Sequence, residues 1–570
     1  MQKIFLLKDE KGNITKEYSK IKIIITISIV LFLLFFILFY IFSNKSIKYD
    51  KIGAYVKTEH LTDLKYRTGN CLGYIGGYWD DAKNSFLASK AGLNTQRKKF
   101  PENHMEKYGI KIEVDDCKEN VKLGINEIIA YLATPSSSHS KNPNQAENFP
   151  PLNLYEKIWN ENGTVNQNNY WAYYIYKIVQ TYKDFVKIYE VYNEPDYTKN
   201  YNIINNWYKE PPDPKDLPHW NSDIFEYIRL LRVTYEVVKK YHPEAYVATG
   251  GLGYESFLDC IMRYTDNPNG GTISDEYPSY GGAYFDCESF HKYPKYGTKD
   301  IQTNFTYNKV ASDNFALNMM TLKKNHEFII RKYGFDGKKY PVKIYICSES
   351  GVDSTGKFGS DLIRRNFNLK APLYAIEYNI KQFHYFTTAD YNNEGNGDYY
   401  PGIGSKTKDN YYELMKPSTK ARLVLNHFNI YKMEFDKKKT EDFRKKLPNN
   451  VTGIVLKKKF EPEGNETIYD YLYSVWVEAL DNENVKNIEI ELEFDFMVNK
   501  TNYQIYTERF GKSGKVMINN TPIFFYPNGE KASSNIVLFV VLGIVFVCFG
   551  VVSFIYYKKR KLNSNSGIKN

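Results

Sequence analysis

A carboxylate follows an apolar, strand-like run in the first half of the chain. Residues 185–192 have the sequence Phe-Val-Lys-Ile-Tyr-Glu-Val-Tyr, and Asn193, Glu194 and Pro195 come directly after them. Proline has no N–H to donate to a sheet, so the strand must end here and the chain must turn away. We therefore expect Glu194, with the amide of Asn193 beside it, at the carboxyl end of a buried strand, where it can exchange protons with a bound molecule.

A second run, residues 343–349, has the sequence Lys-Ile-Tyr-Ile-Cys-Ser-Glu and also ends in a carboxylate, Glu349. Strand alternation predicts that each carboxylate shares a face with the inner residues of its strand, which are Glu190 and Tyr192 for Glu194, and Tyr345 and Cys347 for Glu349. Hydrolysis of a glycosidic bond requires two carboxylates on opposite sides of that bond. The pattern therefore predicts this chemistry, with Glu194 as acid/base and Glu349 as nucleophile.

The elements that must position these two residues alternate between strands and helices. The strand-like segments are residues 71–75, 93–97, 127–133, 185–194, 245–251, 285–291, 342–349 and 382–390. Eight parallel strands, each followed by a helix, close a barrel whose chemistry lies at the carboxyl ends of the strands. Residues 223–241 have apolar residues at a helical period and stop before His242 and Pro243, which predicts one of the connecting helices. The fold expected is α/β, a (β/α)8 TIM barrel over residues 65–430.

The pattern of alternating strand-like and helical segments ends at about residue 430. Short apolar or alternating segments at 450–460, 470–477, 487–494 and 516–525 are separated by turns and show no helical period. This pattern predicts a C-terminal β-sandwich accessory domain over residues 431–530.

Two uncharged apolar runs, residues 23–42 and 536–556, stand near the two ends of the chain. Each is long enough, at about 20 residues, to cross a bilayer as a helix. A buried core helix is the alternative for either run, and a signal peptide is an alternative for the first. We favour an uncleaved anchor at 23–42 and a second transmembrane helix at 536–556, which leaves cytosolic tails at 1–22 and 557–570.

The orientation is predicted from the basic residues Lys558, Lys559, Arg560 and Lys561, which mark a cytosolic tail under the positive-inside rule. Two crossings place both tails on one side and the central segment in the lumen or outside the cell. Six Asn-X-Ser/Thr sequons lie in that segment, at Asn162, Asn304, Asn450, Asn465, Asn499 and Asn519, and are consistent with a glycoprotein.

The net charge of +10 does not indicate a nucleic-acid partner, because the lysines are scattered or lie beside the apolar runs. Cys548 falls in the second apolar run, and five cysteines remain for the oxidising compartment, where they cannot all pair within one chain. No histidine or cysteine spacing is typical of a metal site, so we expect neither a metal nor a cofactor.

At this point the chain resembles the retaining glycoside hydrolases of clan A, and most nearly family 39, the β-xylosidases and α-L-iduronidases. The residues that carry the resemblance are 189–196, which look like the acid/base strand; 289–293, Ser-Phe-His-Lys-Tyr, which look like the sixth strand; and 348–351, Ser-Glu-Ser-Gly, which look like the nucleophile strand. Residues 416–421 and 516–523 resemble the segments that lead into and finish the accessory domain. Tyr192 departs from the pattern, since tryptophan is usual there.

The resemblance, together with the charge that the reaction demands, implies roles for further residues. Glu194 would need a raised pKa, which an ionised Glu349 beside it would supply. Asn193 is placed to hydrogen-bond the sugar 2-hydroxyl. His291 and Tyr293 either orient Glu349 or line the sugar pocket, and His291 is alternatively a core histidine. Arg97, at the end of the second strand, either pairs with Glu349 or forms a structural salt bridge.

Three functions follow from these observations. The first is a membrane-anchored retaining glycoside hydrolase that acts on luminal or extracellular glycans. The second is a catalytically inactive carbohydrate-binding or adhesive membrane protein on the same barrel, which the substitution at Tyr192 leaves open. The third is a non-catalytic interaction protein on an unrelated fold.

Overall fold

The structure, a computed structural model, describes residues 64–71, 81–388, 397–399, 414–463, 468–492, 496–501, 505–510 and 514–527. Eight parallel strands form a closed barrel in which β1 pairs with both β2 and β8. They are β1 (Arg67–Cys71), β2 (Thr95–Lys99), β3 (Glu127–Leu132), β4 (Val186–Val191), β5 (Tyr246–Ala248), β6 (Cys287–His291), β7 (Ile344–Ser350) and β8 (Ile380–Tyr385). The eight-stranded barrel expected from the sequence is confirmed.

The first strand lies four residues earlier than the predicted segment 71–75. Its sequence, Arg-Thr-Gly-Asn-Cys, is nearly devoid of apolar residues, and for this reason the hydrophobic pattern pointed elsewhere. Gly69 explains the difference, because a Cβ there would lie 2.5 Å from the His384 ring and 2.6 Å from the Thr95 side chain. Side chains of the two neighbouring strands therefore fill the space that an apolar residue of β1 would otherwise occupy.

Helices follow the strands as the alternating pattern predicts. They are α1 (Asp81–Lys90), α2 (Glu102–Tyr108), α3 (Val114–Lys122), α4 (Tyr170–Tyr182), α5 (Ile224–Tyr241), α6 (Glu255–Arg263), α7 (Ser312–Lys332), α8 (Asp361–Glu377), α9 (Pro417–His427) and α10 (Lys437–Arg444). The helix predicted over 223–241 is α5. It begins after Asp223, whose side chain accepts a hydrogen bond from the backbone N–H of Glu226 at 2.8 Å, and it ends before Pro243.

The barrel interior changes from apolar to polar along the strands. Its lower part is filled by buried residues that include Ile129, Ile188, Tyr246, Cys287, Ile344 and Ile346. Two residues further toward the carboxyl end, the inward positions of β4, β6 and β7 are Glu190, Ser289 and Ser348. An apolar floor therefore carries a polar layer, and the strand ends lie directly above that layer.

Additional sheets follow the barrel. Their strands are β9 (Met433–Phe435), β10 (Val451–Lys458), β11 (Tyr471–Val477), β12 (Ile488–Leu492), β13 (Phe496–Thr501), β14 (Ile505–Phe510), β15 (Gly514–Ile518) and β16 (Ile523–Pro527). One antiparallel sheet has the order β9-β10-β11-β16-β13-β14, and β12 pairs with β15 in a second. Buried Val455, Val475 and Phe525 from the first sheet share a core with Ile490 and Val516 from the second.

The single strand predicted at 516–525 is wrong, because the segment contains the end of β15 and the beginning of β16. The turn between them contains Asn519 and Asn520, and Pro522 has no N–H with which to continue the ladder.

A buried ionic group joins the barrel to these sheets. Asp313 at the start of α7 accepts hydrogen bonds from Lys370 Nζ at 2.5 Å, Trp476 Nε1 at 2.9 Å and the Ala479 N–H at 2.7 Å. Glu483 accepts from Ser312, Asn366 and Asn520 in the same region. Because both carboxylates are buried, their partners are needed to offset the cost of desolvation.

In the part of the chain that the structure describes, no helix is both long enough and apolar enough to span a membrane. The predicted spans at 23–42 and 536–556 both lie outside these residues. The four cysteines whose side chains are described, Cys117, Cys260, Cys287 and Cys347, are buried free thiols.

Replacing Asp313 with alanine should lower the free energy of unfolding by about 3 kcal/mol, because Lys370 would stay buried without the carboxylate that pairs with it. Denaturant unfolding of the full chain measures the change. The control is Asp115→Ala, which removes an exposed ion pair with Lys118 and should have a much smaller effect. Equal effects of the two substitutions would contradict a structural role for Asp313.

Candidate active site

Glu194 is oriented by a turn that follows β4. The strand ends at Val191, and the backbone of Tyr192 and Glu194 then has φ values of +73° and +46°. The Glu194 N–H donates to the Gly250 carbonyl at 2.6 Å, which ties this turn to the loop after β5. The rim position expected for Glu194 is therefore correct, although the direction of its side chain does not follow from strand alternation.

Glu349 reaches the barrel mouth because β7 contains an irregularity. Phe290 of β6 pairs with Cys347, but the next residue, His291, pairs with Glu349, so Ser348 is an extra residue on β7. Ser348 points inward, whereas Tyr345 packs against Lys323 of α7, whose Nζ lies 4.4 Å from the ring centroid. The predicted inner face of Tyr345, Cys347 and Glu349 is therefore wrong, because that prediction assumed uninterrupted alternation.

Arg97 of β2 connects the two strand ends. Its Nη2 donates to Asn193 Oδ1 at 2.8 Å, its Nη1 lies 3.4 Å from Glu349 Oε2, and its Nε donates to Glu190. The side chain is only 3% exposed, and its guanidinium stacks on the Tyr131 ring, 4.4 Å from the centroid. A single buried cation thus holds two carboxylates and one amide in fixed positions.

His291 and Tyr293 complete the contact between the two carboxylates. His291 Nδ1 lies 2.9 Å from Glu194 Oε1 and 3.8 Å from Glu349 Oε2, and the Tyr293 hydroxyl donates to Glu349 Oε1. One carboxylate oxygen of Glu194, one of Glu349 and a ring nitrogen of His291 all lie within 4.8 Å of one another. The structure therefore brings all six residues singled out in the sequence, Arg97, Asn193, Glu194, His291, Tyr293 and Glu349, into one cluster.

The charges of this cluster act on its proton-binding groups. Burial lowers the pKa of His291, but Glu349 and Glu194 outweigh it, so the pKa lies above its ordinary value. Burial raises the pKa of Glu194, but the hydrogen bond and charge of His291, together with His219 and Arg97, outweigh it, so the net shift is downward. The sequence led us to expect a raised pKa, so the observed shift has the opposite direction. That expectation considered only Glu349 and left out the cationic groups around Glu194.

Glu190, Ser289 and Ser348 form a buried polar group beneath the strand ends, for which the sequence pattern predicted no role. Each serine hydroxyl lies 2.6 Å from Glu190 Oε1, and the other carboxylate oxygen accepts from Arg97. A charged residue in the middle of the apolar run 185–192 was the signal that could have revealed this group, because a charge in a buried strand needs partners.

His219, in the long loop after β4, was also missed. Its Nδ1 lies 3.6 Å from Glu194 Oε2, and its ring stacks on Tyr197 with the centroids 4.2 Å apart. Burial lowers the pKa of His219 despite the nearby carboxylate. No feature of the sequence distinguishes this loop histidine from others.

The loop after β5 supports the cluster from one side. Gly251 has a φ of +66°, and a Cβ there would lie 2.2 Å from His291 Nε2; a Cβ on Gly250 would lie 2.5 Å from the Val191 carbonyl oxygen. Asp196 Oδ2 accepts from the N–H groups of Gly253 and Tyr254 at 2.7 and 2.8 Å, and burial raises the pKa of Asp196 to about 7. These contacts hold the Glu194 turn against the backbone and the imidazole.

Two groups of described residues have the ligand types of a metal site. One is Glu102, Glu106 and His139, and the other is Glu194, His291 and Glu349. In each group the histidine already contacts a carboxylate oxygen at 2.9 Å. Contacts among the side chains therefore hold each group together.

The chain matches no protein-family model, and no curated protein is similar to it in sequence. Its fold is similar to that of a family 39 glycoside hydrolase from Bacteroides cellulosilyticus, with 15% identity over 82% of each chain and a TM-score of 0.50. A family 30 subfamily 8 xylanase from Clostridium acetobutylicum matches at 12% identity, over 81% of this chain and 97% of that one, with a TM-score of 0.43. A family 30 xylanase catalytic domain from Talaromyces cellulolyticus matches at 12% identity over 83% and 98%, with a TM-score of 0.45.

The barrel with its additional sheets is thus similar in fold to this family 39 glycoside hydrolase, as the sequence resemblance implied. At this level of identity the likeness shows the fold alone. The function depends on the residues at the strand ends and not on the fold.

Replacing Gly251 with alanine should destabilise the protein by about 2 kcal/mol more than replacing Gly124, because only at Gly251 does the new methyl group collide with a buried ring. Both glycines have positive φ, but an added Cβ at Gly124 meets nothing within 4 Å. Denaturant unfolding of the two variants provides the comparison. If both variants were destabilised equally, the loop at Gly251 would have moved to accommodate the methyl group without displacing His291.

Proposed function

We propose that the chain is a retaining glycoside hydrolase that cleaves O-glycosidic bonds of glycans. The observation that supports this best is the short separation of Glu194 and Glu349, whose nearest ligand oxygens lie within 4.8 Å. Retaining enzymes hold their two carboxyl groups about 5–5.5 Å apart, whereas inverting enzymes leave about 6.5–9.5 Å to admit a water molecule. The pair stands at the carboxyl ends of β4 and β7, where barrel enzymes carry their chemistry.

In the first step, Glu349 attacks the anomeric carbon while Glu194 protonates the leaving oxygen. The contacts from Tyr293 and Arg97 hold the Glu349 carboxylate in position. Asn193, whose Oδ1 accepts from Arg97, has its amide N–H groups left to bind a sugar hydroxyl. The bond from the anomeric carbon to the leaving oxygen breaks, and a glycosyl ester of Glu349 forms.

In the second step, Glu194 takes a proton from water, and the water oxygen attacks the anomeric carbon of the ester. Glu349 leaves as a carboxylate, which the Arg97 guanidinium again stabilises. The sugar has then undergone two inversions, so the anomeric configuration is retained. One proton is delivered in the first step and recovered in the second.

The tyrosine at position 192 does not argue against activity. Tyr192 is buried, its hydroxyl donates to the Glu147 and His219 carbonyls at 2.6 and 3.1 Å, and its ring packs edge-on against Trp220. It therefore serves as a support for the loop that carries His219. The alternative function is a catalytically inactive carbohydrate-binding protein on the same barrel, in which the two carboxylates bind a sugar but do not hydrolyse it.

We further propose that the enzyme is membrane-anchored, with the barrel in the lumen or outside the cell. The support is the pair of apolar runs near the two ends of the chain and the basic residues that follow the second run. The sequon asparagines whose side chains are described, Asn162, Asn304, Asn450 and Asn519, are all exposed and so accessible to glycosylation.

Glu194→Ala and Glu349→Ala should give different kinetics with a panel of nitrophenyl glycosides. For Glu194→Ala we expect a loss of about 100-fold or more with poor leaving groups, a smaller loss in the first step with dinitrophenyl leaving groups, and rescue of the second step by azide. Glu349→Ala should lose turnover of both classes, because it removes the nucleophile. Proton NMR of the first product should show the anomeric configuration of the substrate.

The matched control is Glu276→Ala, which removes an exposed carboxylate from a loop that precedes β6, at the opposite end of the barrel. It should retain the parent activity. Inversion at the anomeric carbon would exclude Glu349 as nucleophile. Binding of glycans by a parent chain that hydrolyses none of them would instead favour the inactive carbohydrate-binding protein.

The topology predicts which segments a protease can reach in sealed microsomes. Both tails should be digested, because they are expected on the cytosolic side, and residues between about 45 and 534 should be protected until detergent is added. Immunoblotting with antibodies to the tails and to the barrel reports the result. Digestion of the barrel in intact vesicles, with protected tails, would refute the arrangement.

A further inference from the structure

We propose that Glu190 and Ser348 act as positioning residues for proton transfer, because they orient the His291 imidazole so that its Nδ1 shares a single exchangeable proton with Glu194. This inference rests on the proposed function and extends it below the site, into the polar layer of the barrel. It assigns a role to a fully buried carboxylate and a fully buried hydroxyl that contact no substrate themselves.

A carboxylate buried as deeply as that of Glu190 needs hydrogen-bond donors around it. Its side chain is wholly buried, and an ionised carboxylate can only accept. The donors are Arg97 Nε on one oxygen, and the hydroxyls of Ser289 and Ser348, each at 2.6 Å, on the other. The proton of the Ser348 hydroxyl is therefore directed toward Glu190.

The position of that proton determines which ring nitrogen of His291 carries a hydrogen. Ser348 Oγ also lies 3.0 Å from His291 Nε2 and 2.7 Å from Ser289 Oγ. Glu190 Oε1, Ser289 Oγ and Ser348 Oγ lie within 2.7 Å of one another and have two hydroxyl hydrogens for three contacts. If Ser348 donated to the imidazole, a single hydrogen would remain, and two of these pairs of oxygens would face each other without a hydrogen, which is repulsive. Ser348 must therefore accept from His291, so Nε2 carries a hydrogen and the tautomer is set from below.

The other ring nitrogen is then the one that exchanges protons. Nδ1 lies 2.9 Å from Glu194 Oε1, and with Nε2 occupied a single further proton lies between these two atoms. It rests either on His291, beside an ionised Glu194, or on Glu194, beside a neutral His291. The charged groups that face the ring are Glu194 after β4, Glu349 of β7 and Arg97 of β2.

This arrangement supplies and recovers the proton of the proposed reaction. In the first step the shared proton passes from the pair to the leaving oxygen as the glycosidic bond breaks and the bond to Glu349 forms. In the second step water gives a proton to the pair as its oxygen displaces Glu349. The count balances, and His291 Nε2 keeps its own hydrogen throughout because Ser348 and Glu190 do not change.

Ser348→Ala tests the relay by kinetics. Without an acceptor for Nε2–H the imidazolium is less stable, so the pair should lose its proton at lower pH, and the alkaline limb of kcat/KM should move downward in pH. Substrates with poor leaving groups should lose about tenfold more activity than dinitrophenyl glycosides, which need little acid catalysis. Ser348→Thr, which keeps a hydroxyl, should restore both properties.

Ser350→Ala is the matched control, because Ser350 is a buried serine on the same strand whose hydroxyl donates to the Lys292 carbonyl at 2.6 Å. This variant should keep the alkaline limb of kcat/KM at the parent pH. Its activity should change by the same factor for substrates with poor leaving groups and for dinitrophenyl glycosides. If Ser348→Ala behaves in the same way, Ser348 is only structural and the proposal is overturned.

Glu190→Gln tests the relay without relying on turnover. With its single oxygen turned to Arg97, the carboxamide presents its NH2 group to the two serines, so both accept. Ser289 then donates to Ser348 Oγ, 2.7 Å away, and the Ser348 proton turns to His291 Nε2. ¹⁵N NMR of the full chain with labelled histidine, with His291 assigned from a His291→Gln spectrum, should show Nε2 protonated in the parent and unprotonated in Glu190→Gln.

An unchanged tautomer in a folded Glu190→Gln protein would overturn the proposal. If Glu190→Gln does not fold, the kinetics of Ser348→Ala decide the question. If the parent hydrolyses no glycoside, the proposed function fails, and the NMR measurement on the parent alone still tests the relay: an unprotonated Nε2 refutes it, and a protonated Nε2 supports it.

Discussion

The site depends on the burial of one guanidinium. Arg97 is 3% exposed, and a cation removed from water in this way must be surrounded by acceptors. Its acceptors include Glu190 below it, Asn193 on the turn after β4 and Glu349 on β7, so pairing this one charge fixes three strands relative to one another at their carboxyl ends. The fork geometry of arginine allows one side chain to do this, whereas the point charge of a lysine does not.

The layers of the barrel follow from the same requirement. A polar cluster needs a rigid support that excludes water, and the apolar lower interior around Ile188 and Ile346 provides it. Above that floor, Glu190 lies between the guanidinium and two hydroxyls, and His291 lies between Ser348 and Glu194. These hydrogen bonds join residues from different strands of the barrel. A change in the register between the strands would therefore break them.

Electrostatics and chemistry are connected through His291. A carboxylate pair at this separation would raise the proton affinity of one member, as in other paired acids. Here the His291 imidazole contacts both carboxylates. Their negative charges raise the pKa of His291, and His291 in turn lowers the pKa of Glu194. The acid and base functions proposed for Glu194 therefore belong to a coupled pair of groups with a common proton, and not to one carboxylate.

The sequence by itself determined the alternation of strands and helices, the eight-stranded barrel, and the presence of Glu194 and Glu349 at strand ends, because hydrophobic period and a strand-breaking proline are local properties. Tertiary structure decided what local patterns do not contain. It placed β1 at Arg67–Cys71, where neighbouring side chains replace its own core residues, and it introduced the extra residue Ser348 that turns Glu349 into the mouth. It also brought His219 and the Gly251 loop to the cluster and reversed the expected pKa shift of Glu194. These features depend on contacts between residues far apart in the chain, so no window of the sequence specifies them.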